Sequence, residues 1–291
     1  GAFMVFSWLG FLGLYFFYRA FRIALAGGDH RRYRLLLFLF PTMWFWPSSI
    51  GKESVMVLFL GVAAYGFSRL LMAHMSGVLF VGLGVWGATI VRPHVALIAV
   101  IAGAIGVLVR SSRPSIALRS PVRATVAGLV VGQVEDFLGL DELSVETAEE
   151  TLADRGTNTQ QGGSEFDAPE VRDPFTYGLA FVTVVFRPLP FEVTSGPALG
   201  TSMEGLLLLG LAVASWRRLV RLPSVLIRSP YSAFSATFVI SFVFAFSRIE
   251  NFGIIARQRA QLYPLLFVLL AAVSRRQLVD EDGLAQPQVV A

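Results

Sequence analysis

Four short stretches of this 291-residue chain carry side chains able to grip or move charge, and each interrupts apolar sequence. The first is Trp46-Pro47-Ser48-Ser49-Ile50-Gly51-Lys52-Glu53, and the second is Arg92-Pro93-His94. The third is Arg187-Pro188-Leu189-Pro190-Phe191-Glu192. The fourth runs from Arg248 through Asn251 and Arg257 to Arg259. A planar guanidinium presents paired donors that match a phosphate or pyrophosphate. Arg92, Arg248, Arg257 and Arg259 are therefore candidate anion ligands, with Lys52, His94 and Asn251 beside them. Three carboxylates are candidates for general-base work on an acceptor hydroxyl. They are Glu53, Glu192 and Glu204, the last lying one turn inside an apolar run.

Several of these residues also have a plain structural account. Arg92 is placed to snorkel toward lipid headgroups, and the charges of 248–259 are placed to form an ion-pair cluster. Glu53 suits the first turn of a helix capped by Ser48 or Ser49. Lys52 fits that turn poorly, because a cation at a helix N-terminus is unfavourable; a bound anion would remove the conflict. If a helix begins near Ile254, Arg257 and Arg259 stand about 200° apart and face different neighbours. No phosphate-loop, zinc-protease or nucleophile-elbow motif occurs, so the chemistry rests on a constellation of charges. The three histidines are far apart and there is no cysteine, so no metal site and no cofactor are expected.

The elements that must position these groups are apolar helices. Hydrophobic residues form 55% of the chain and its mean hydropathy is +0.64, above the range of soluble domains. The composition predicts an all-α, polytopic transmembrane bundle. Nine membrane segments are expected, at 1–26, 33–47, 54–72, 76–91, 94–110, 122–138, 199–216, 231–247 and 260–274. They divide the chain into an N-terminal bundle (1–138), a long loop (139–198), C-terminal helices (199–276) and a disordered tail (277–291). Within the loop, 135–154 reads as an amphipathic helix, 155–173 as a flexible linker or lid, and 175–186 as an interfacial or re-entrant helix. Gly1 opens inside an apolar run with no charged region before it, which reads as a start lying upstream; a removed signal or tag would look the same.

Net charge is +4, and Lys52 is the single lysine. With nine spans, the arginines within 31–34, at 69, and within 110–123, 217–228 and 275–276 share one face. The positive-inside rule makes that face cytoplasmic. The same placement explains the basic balance without nucleic acid. Loop 139–198 and the four charged stretches then fall on the extracytoplasmic face.

Taken together, 46–53, Arg92-Pro93-His94, 186–192 and the Asn-Phe-Gly-Ile-Ile-Ala-Arg-Gln-Arg run of 251–259 with Pro264 resemble bacterial envelope polysaccharide polymerases of the Wzy and EpsG kind. More distantly they are similar to GT-C glycosyltransferases that use polyprenyl-phosphate sugars. The resemblance spans about 46–264. It implies a polyprenyl-linked glycan donor bound at the outer face of the cytoplasmic membrane, with Lys52, Arg92, Arg257 and Arg259 on its phosphates. Membrane lipids and other envelope-biosynthesis proteins are the partners it implies. The acidic residue that GT-C enzymes usually carry in a first outer loop would precede Gly1 in a longer chain; in a chain beginning at Gly1 its absence weakens that analogy. Two other readings fit the same charges: a transporter or flippase for an anionic lipid-linked substrate, and a non-catalytic assembly subunit.

Overall fold

The computed structural model describes residues 1–111, 166, 171–193 and 196–273. The expected span at 122–138, most of loop 139–198 and the tail at 277–291 lie outside the described residues.

The described residues form helices and no strand. In chain order these are α1 (Ala2–Ala24), α2 (His30–Leu39), α3 (Pro41–Ser48), α4 (Lys52–Leu71), α5 (Ser76–Val91) and α6 (Pro93–Ser111). After the undescribed stretch come α7 (Pro174–Phe186), a 3-10 turn at Pro190–Glu192, and α8 (Gly196–Ala214). The chain continues with α9 (Trp216–Val220), α10 (Leu222–Arg228), α11 (Pro230–Phe246) and α12 (Phe252–Ala271).

By length and composition, two of these helices suffice to cross a membrane, α1 and α4. α10 and α11 would add a third span if counted as one, although they meet at 118°. α5, α6, α7 and α8 are apolar but shorter. The expected segments at 54–72, 76–91, 94–110 and 231–247 coincide with single helices. The segment expected at 33–47 does not: it is broken into α2 and α3 at Phe40, whose extended backbone precedes Pro41, as a residue before proline prefers.

The centre of the bundle is α12, not the 46–53 elbow. From Ala260 to Val273 every residue is buried, although Arg257, Arg259 and Gln261 make this helix less apolar than α1 or α4. Its neighbours reach it by specific bonds. Tyr33 Oη of α2 donates to the Pro264 carbonyl at 3.1 Å, and Tyr263 Oη donates to the Val185 carbonyl of α7 at 3.2 Å. α12 begins at Phe252, two residues before the start considered near Ile254, and carries Arg257 and Arg259 ahead of the span expected at 260–274.

Helices α1 and α4 run parallel and close together because glycine lines their crossing. A Cβ on Gly61 would meet the Gly13 carbonyl, and one on Gly13 would meet the Val57 carbonyl. Small residues at a crossing let backbones approach in this way. On the outer side of α5, Leu79, Leu83, Trp86 and Ile90 are exposed at helical spacing, an apolar stripe suited to lipid.

The charges collect at two ends of the bundle. At one end, Asp29 pairs with Arg218 at 2.9 Å, and Arg218 Nη1 donates to the Val273 carbonyl at 2.8 Å, closing the C-terminus of α12. Arg32 donates to Ser215 Oγ beside them. At the other end the termini of α3, α4, α5, α6 and α12 meet.

Candidate functional site

That second end is built around Glu53. Gly51 is the N-cap of α4 and supplies no side-chain cap. Of the two serines expected to cap it, Ser49 turns elsewhere, its Oγ donating to the Trp46 carbonyl at 2.7 Å, and the Ser49 carbonyl accepts from Ser54 Oγ at 2.6 Å. A Cβ at Gly51 would stand 2.8 Å from Glu53 Oε2. Glycine there leaves room for the carboxylate to fold back toward its own helix start.

Glu53 is fully buried and each of its oxygens holds a different arginine. Arg92 Nη2 lies 2.8 Å from Oε1, and Arg257 Nη2 lies 3.1 Å from Oε2. Arg92 comes from the α5–α6 hairpin, where Pro93 begins α6 immediately after it. Arg92 Nη1 also donates to Gln258 Oε1, which accepts from Gln261 Nε2 at 2.8 Å. Arg257 is different in kind: its side chain is 48% exposed, and its guanidinium lies 5.7 Å from the centre of the Trp46 indole, a cation–π arrangement. Lys52, the next residue to Glu53, is exposed.

Two guanidiniums on one carboxylate leave a net positive charge, and the accessible part of it is Arg257. Both Glu53 oxygens are engaged, so the cluster offers fixed cations and directed N–H groups rather than a free base.

The remaining candidates are distributed elsewhere. Arg259 is buried and points to α7: Nε donates to the Val184 carbonyl at 2.8 Å, and Nη2 donates to the Arg187 carbonyl. It thus satisfies carbonyls that the end of a helix leaves without partners, while Arg257 faces Glu53, the divergence expected from their spacing. Glu204 accepts from Thr42 Oγ1 of α3. Glu192 accepts from Arg187 Nε at 2.8 Å and from the Leu189 N–H at 2.7 Å. Burial raises the Glu192 carboxyl, but the Arg187 and Leu189 donors outweigh that and hold it below its ordinary value.

Asn251 caps α12, its Oδ1 accepting from the Gly253 and Ile254 N–H groups at 2.9 and 3.2 Å. His94 packs its ring 5.6 Å from that of Phe246. Arg248 is half-buried in the link between α11 and α12. Among the described residues, no three His, Asp or Glu side chains are grouped to hold a metal ion.

Three participants had escaped the sequence reading. Gln258 joins Arg92 to α12, and its place between Arg257 and Arg259 was the available signal. Thr42 holds Glu204, and no pattern in the sequence points to it. Phe166 stacks on Phe252 at 4.1 Å, and its N–H donates to the Glu250 carbonyl at 3.2 Å. The Arg187 guanidinium lies 5.0 and 5.2 Å from those two rings.

Comparison of the chain with protein-family models, curated proteins and solved structures gives no match.

Proposed function

We propose that this chain is a multi-pass membrane protein that binds the phosphate of a polyprenyl-linked sugar where Glu53, Arg92 and Arg257 meet, and transfers the sugar to an acceptor hydroxyl. The observation that carries this reading is the Glu53 carboxylate, buried and shared between two arginines, one of them half-exposed beside an indole. The carboxylate fixes both cations before any ligand arrives, which lowers the ordering cost of binding an anion. Arg257 and Lys52 then supply the accessible charge. The reaction proposed is at the outer face of the cytoplasmic membrane, a reading supported by the distribution of arginines along the sequence, with envelope-assembly proteins as neighbours.

In an inverting displacement the acceptor oxygen attacks the anomeric carbon as the bond to (pyro)phosphate breaks. The leaving group departs with the electron pair, and the arginines stabilise that charge. Glu204 is bonded to Thr42 and not to the cluster, and both Glu53 oxygens are engaged, so the acceptor proton passes to water. Glu53 positions Arg92 and Arg257.

A second reading, transport of an anionic lipid-linked substrate, is favoured by one observation. Charged pairs occur at both ends of α12, with Glu204 and Arg259 between them. Vesicles containing a radiolabelled polyprenyl-pyrophosphate sugar separate the two. Formation of a glycosylated product, reduced at least about tenfold in Arg257→Ala, equivalent to ~1.4 kcal/mol, is the result expected of transfer. Movement of the label between leaflets without product is the result expected of transport. Neither would leave an assembly role and overturn both.

A further inference from the structure

Between Glu204 and Glu250 the chain carries no acid, yet Arg217, Arg218, Arg221 and Arg228 fall within one short stretch of it. They lie along α9 and α10 and at the joint between them, the elbow that leads from α8 to α11. The inner side of this elbow is fixed to the bundle. Leu219, Leu222, Val225 and Leu226 pack on the core, and Arg218 is tied to Asp29 and to the Val273 carbonyl. α10 turns 118° from α11, nearer to a right angle than to a continuation, so it lies across the end of the bundle.

The outer side mixes two chemistries. Trp216, Val220 and Ile227 are each more than half exposed, and Arg217 and Arg228 are exposed beside them. The Arg217 guanidinium lies 5.9 Å from the centre of the Trp216 ring. Water suits the arginines and not the apolar groups; hydrocarbon suits the reverse. The boundary between anionic headgroups and acyl chains suits both. We infer that the elbow is a docking site for anionic phospholipid, with Arg217 and Arg228 on the phosphodiester headgroups and Trp216, Val220 and Ile227 in the acyl boundary. Continuity selects a lipid surface over an acidic protein segment. Leu206, Leu207, Leu209 and Val213 are exposed along α8, a lipid-suited stripe that runs into Trp216 at the level where an interfacial indole belongs. Placement of basic residues at one membrane face accounts for the arginines alone; it leaves the exposed indole beside them unexplained. The inference stands apart from the function proposed above.

The test titrates the full chain in detergent with phosphatidylglycerol or phosphatidylcholine and counts retained lipid by native mass spectrometry. The unsubstituted protein is expected to hold phosphatidylglycerol about tenfold more tightly, or ~1.4 kcal/mol. An Arg217→Gln, Arg228→Gln double variant is expected to lose that preference and to bind phosphatidylcholine as before. Arg31→Gln with Arg34→Gln makes the same charge change on α2, at the same end and also at exposed side chains, and is expected to keep the preference. Equal retention of the two lipids by the unsubstituted protein would overturn the inference. Equal loss in the two double variants would overturn it as well, since the charge of the whole end would then be responsible. Glycerol 3-phosphate carries the phosphate without acyl chains; displacement of the lipid by it at equal concentration would show a free-phosphate site in place of a lipid surface. A readout on the unsubstituted protein holds even if the elbow variant fails to fold. Photoactivatable phosphatidylglycerol should label 216–228 in excess over the matching phosphatidylcholine probe, and an excess that is absent there or confined to 31–34 contradicts the elbow.

Discussion

Glu53 and Arg257 are 204 residues apart in sequence and 3.1 Å apart in the fold, with Arg257 Nη2 donating to the carboxylate that also holds Arg92. The start of α4 and the second turn of α12 are tied by this pair, and the α5–α6 hairpin joins them through Arg92. Removing the carboxylate would leave two cations facing each other. Glu53→Gln is expected to cost ~3–5 kcal/mol, the range for breaking a buried ion pair by removing one partner. Denaturant titration in detergent measures this. A Glu53→Leu, Arg92→Leu double variant should lose less than the sum of its single variants, because the two sites are directly coupled.

The α1–α4 crossing makes an independent structural prediction. At Gly61 an added methyl would press on the Gly13 carbonyl, which belongs to backbone and cannot swing away. Gly61→Ala should therefore destabilise the protein by ~1–3 kcal/mol, as overpacking does. Gly82→Ala, facing open space, should not destabilise it. Thermal unfolding of the two variants side by side is the check.

At the opposite end of the bundle, Asp29 gives a pH signature. Burial raises its carboxyl, but the Arg32 N–H and the Arg218 guanidinium outweigh that and hold it below its ordinary value. With a depressed folded value, the unfolded chain takes up the proton first as pH falls. The stabilisation is therefore complete above the unfolded value of ~3.9 and is lost as pH drops through the folded one. Asp29→Asn should be less stable near neutrality and should lose less further stability between about pH 5 and pH 2. Melting temperatures of both proteins across that range test it.

The chain has no cysteine, so single cysteines report topology directly. Lys52→Cys and Arg31→Cys stand at opposite ends of the bundle, and both native side chains are exposed. In intact cells a membrane-impermeant maleimide should label Lys52→Cys, with Arg31→Cys labelled after lysis. Labelling of both before lysis would contradict the proposed orientation.

The helices were largely legible because apolar runs and their interruptions follow a strong local signal. The break at Phe40 and Pro41 carried its signal in the proline, outweighed in the reading by the apolar run around it. The central position of α12 was not legible: a helix bearing two arginines and two glutamines within five residues reads as peripheral until its polar groups find partners. Arg259 finds them in the carbonyls of α7, an element separated from it in sequence by the whole of α8 to α11. Within the site, the sequence marked Glu53, Arg92 and Arg257 as unusual. It could not show that Glu53 joins the two arginines, because that depends on three helix ends meeting. Lys52, favoured on helix-dipole grounds, is instead the exposed neighbour of the buried residue.

The central claim is that Arg92 and Arg257 are held by Glu53 to receive a phosphate. Titration of the nanodisc-embedded protein with polyprenyl phosphate tests it most directly, comparing the unsubstituted chain with Arg257→Gln and Arg92→Lys. A lysine at 92 keeps the charge but cannot serve Glu53 and Gln258 with a planar fork. Both variants are expected to bind at least about tenfold more weakly, or ~1.4 kcal/mol, while their melting shows that they remain folded. Unchanged affinity in both folded variants would contradict the claim and leave the cluster as a purely structural tie between α4, α6 and α12.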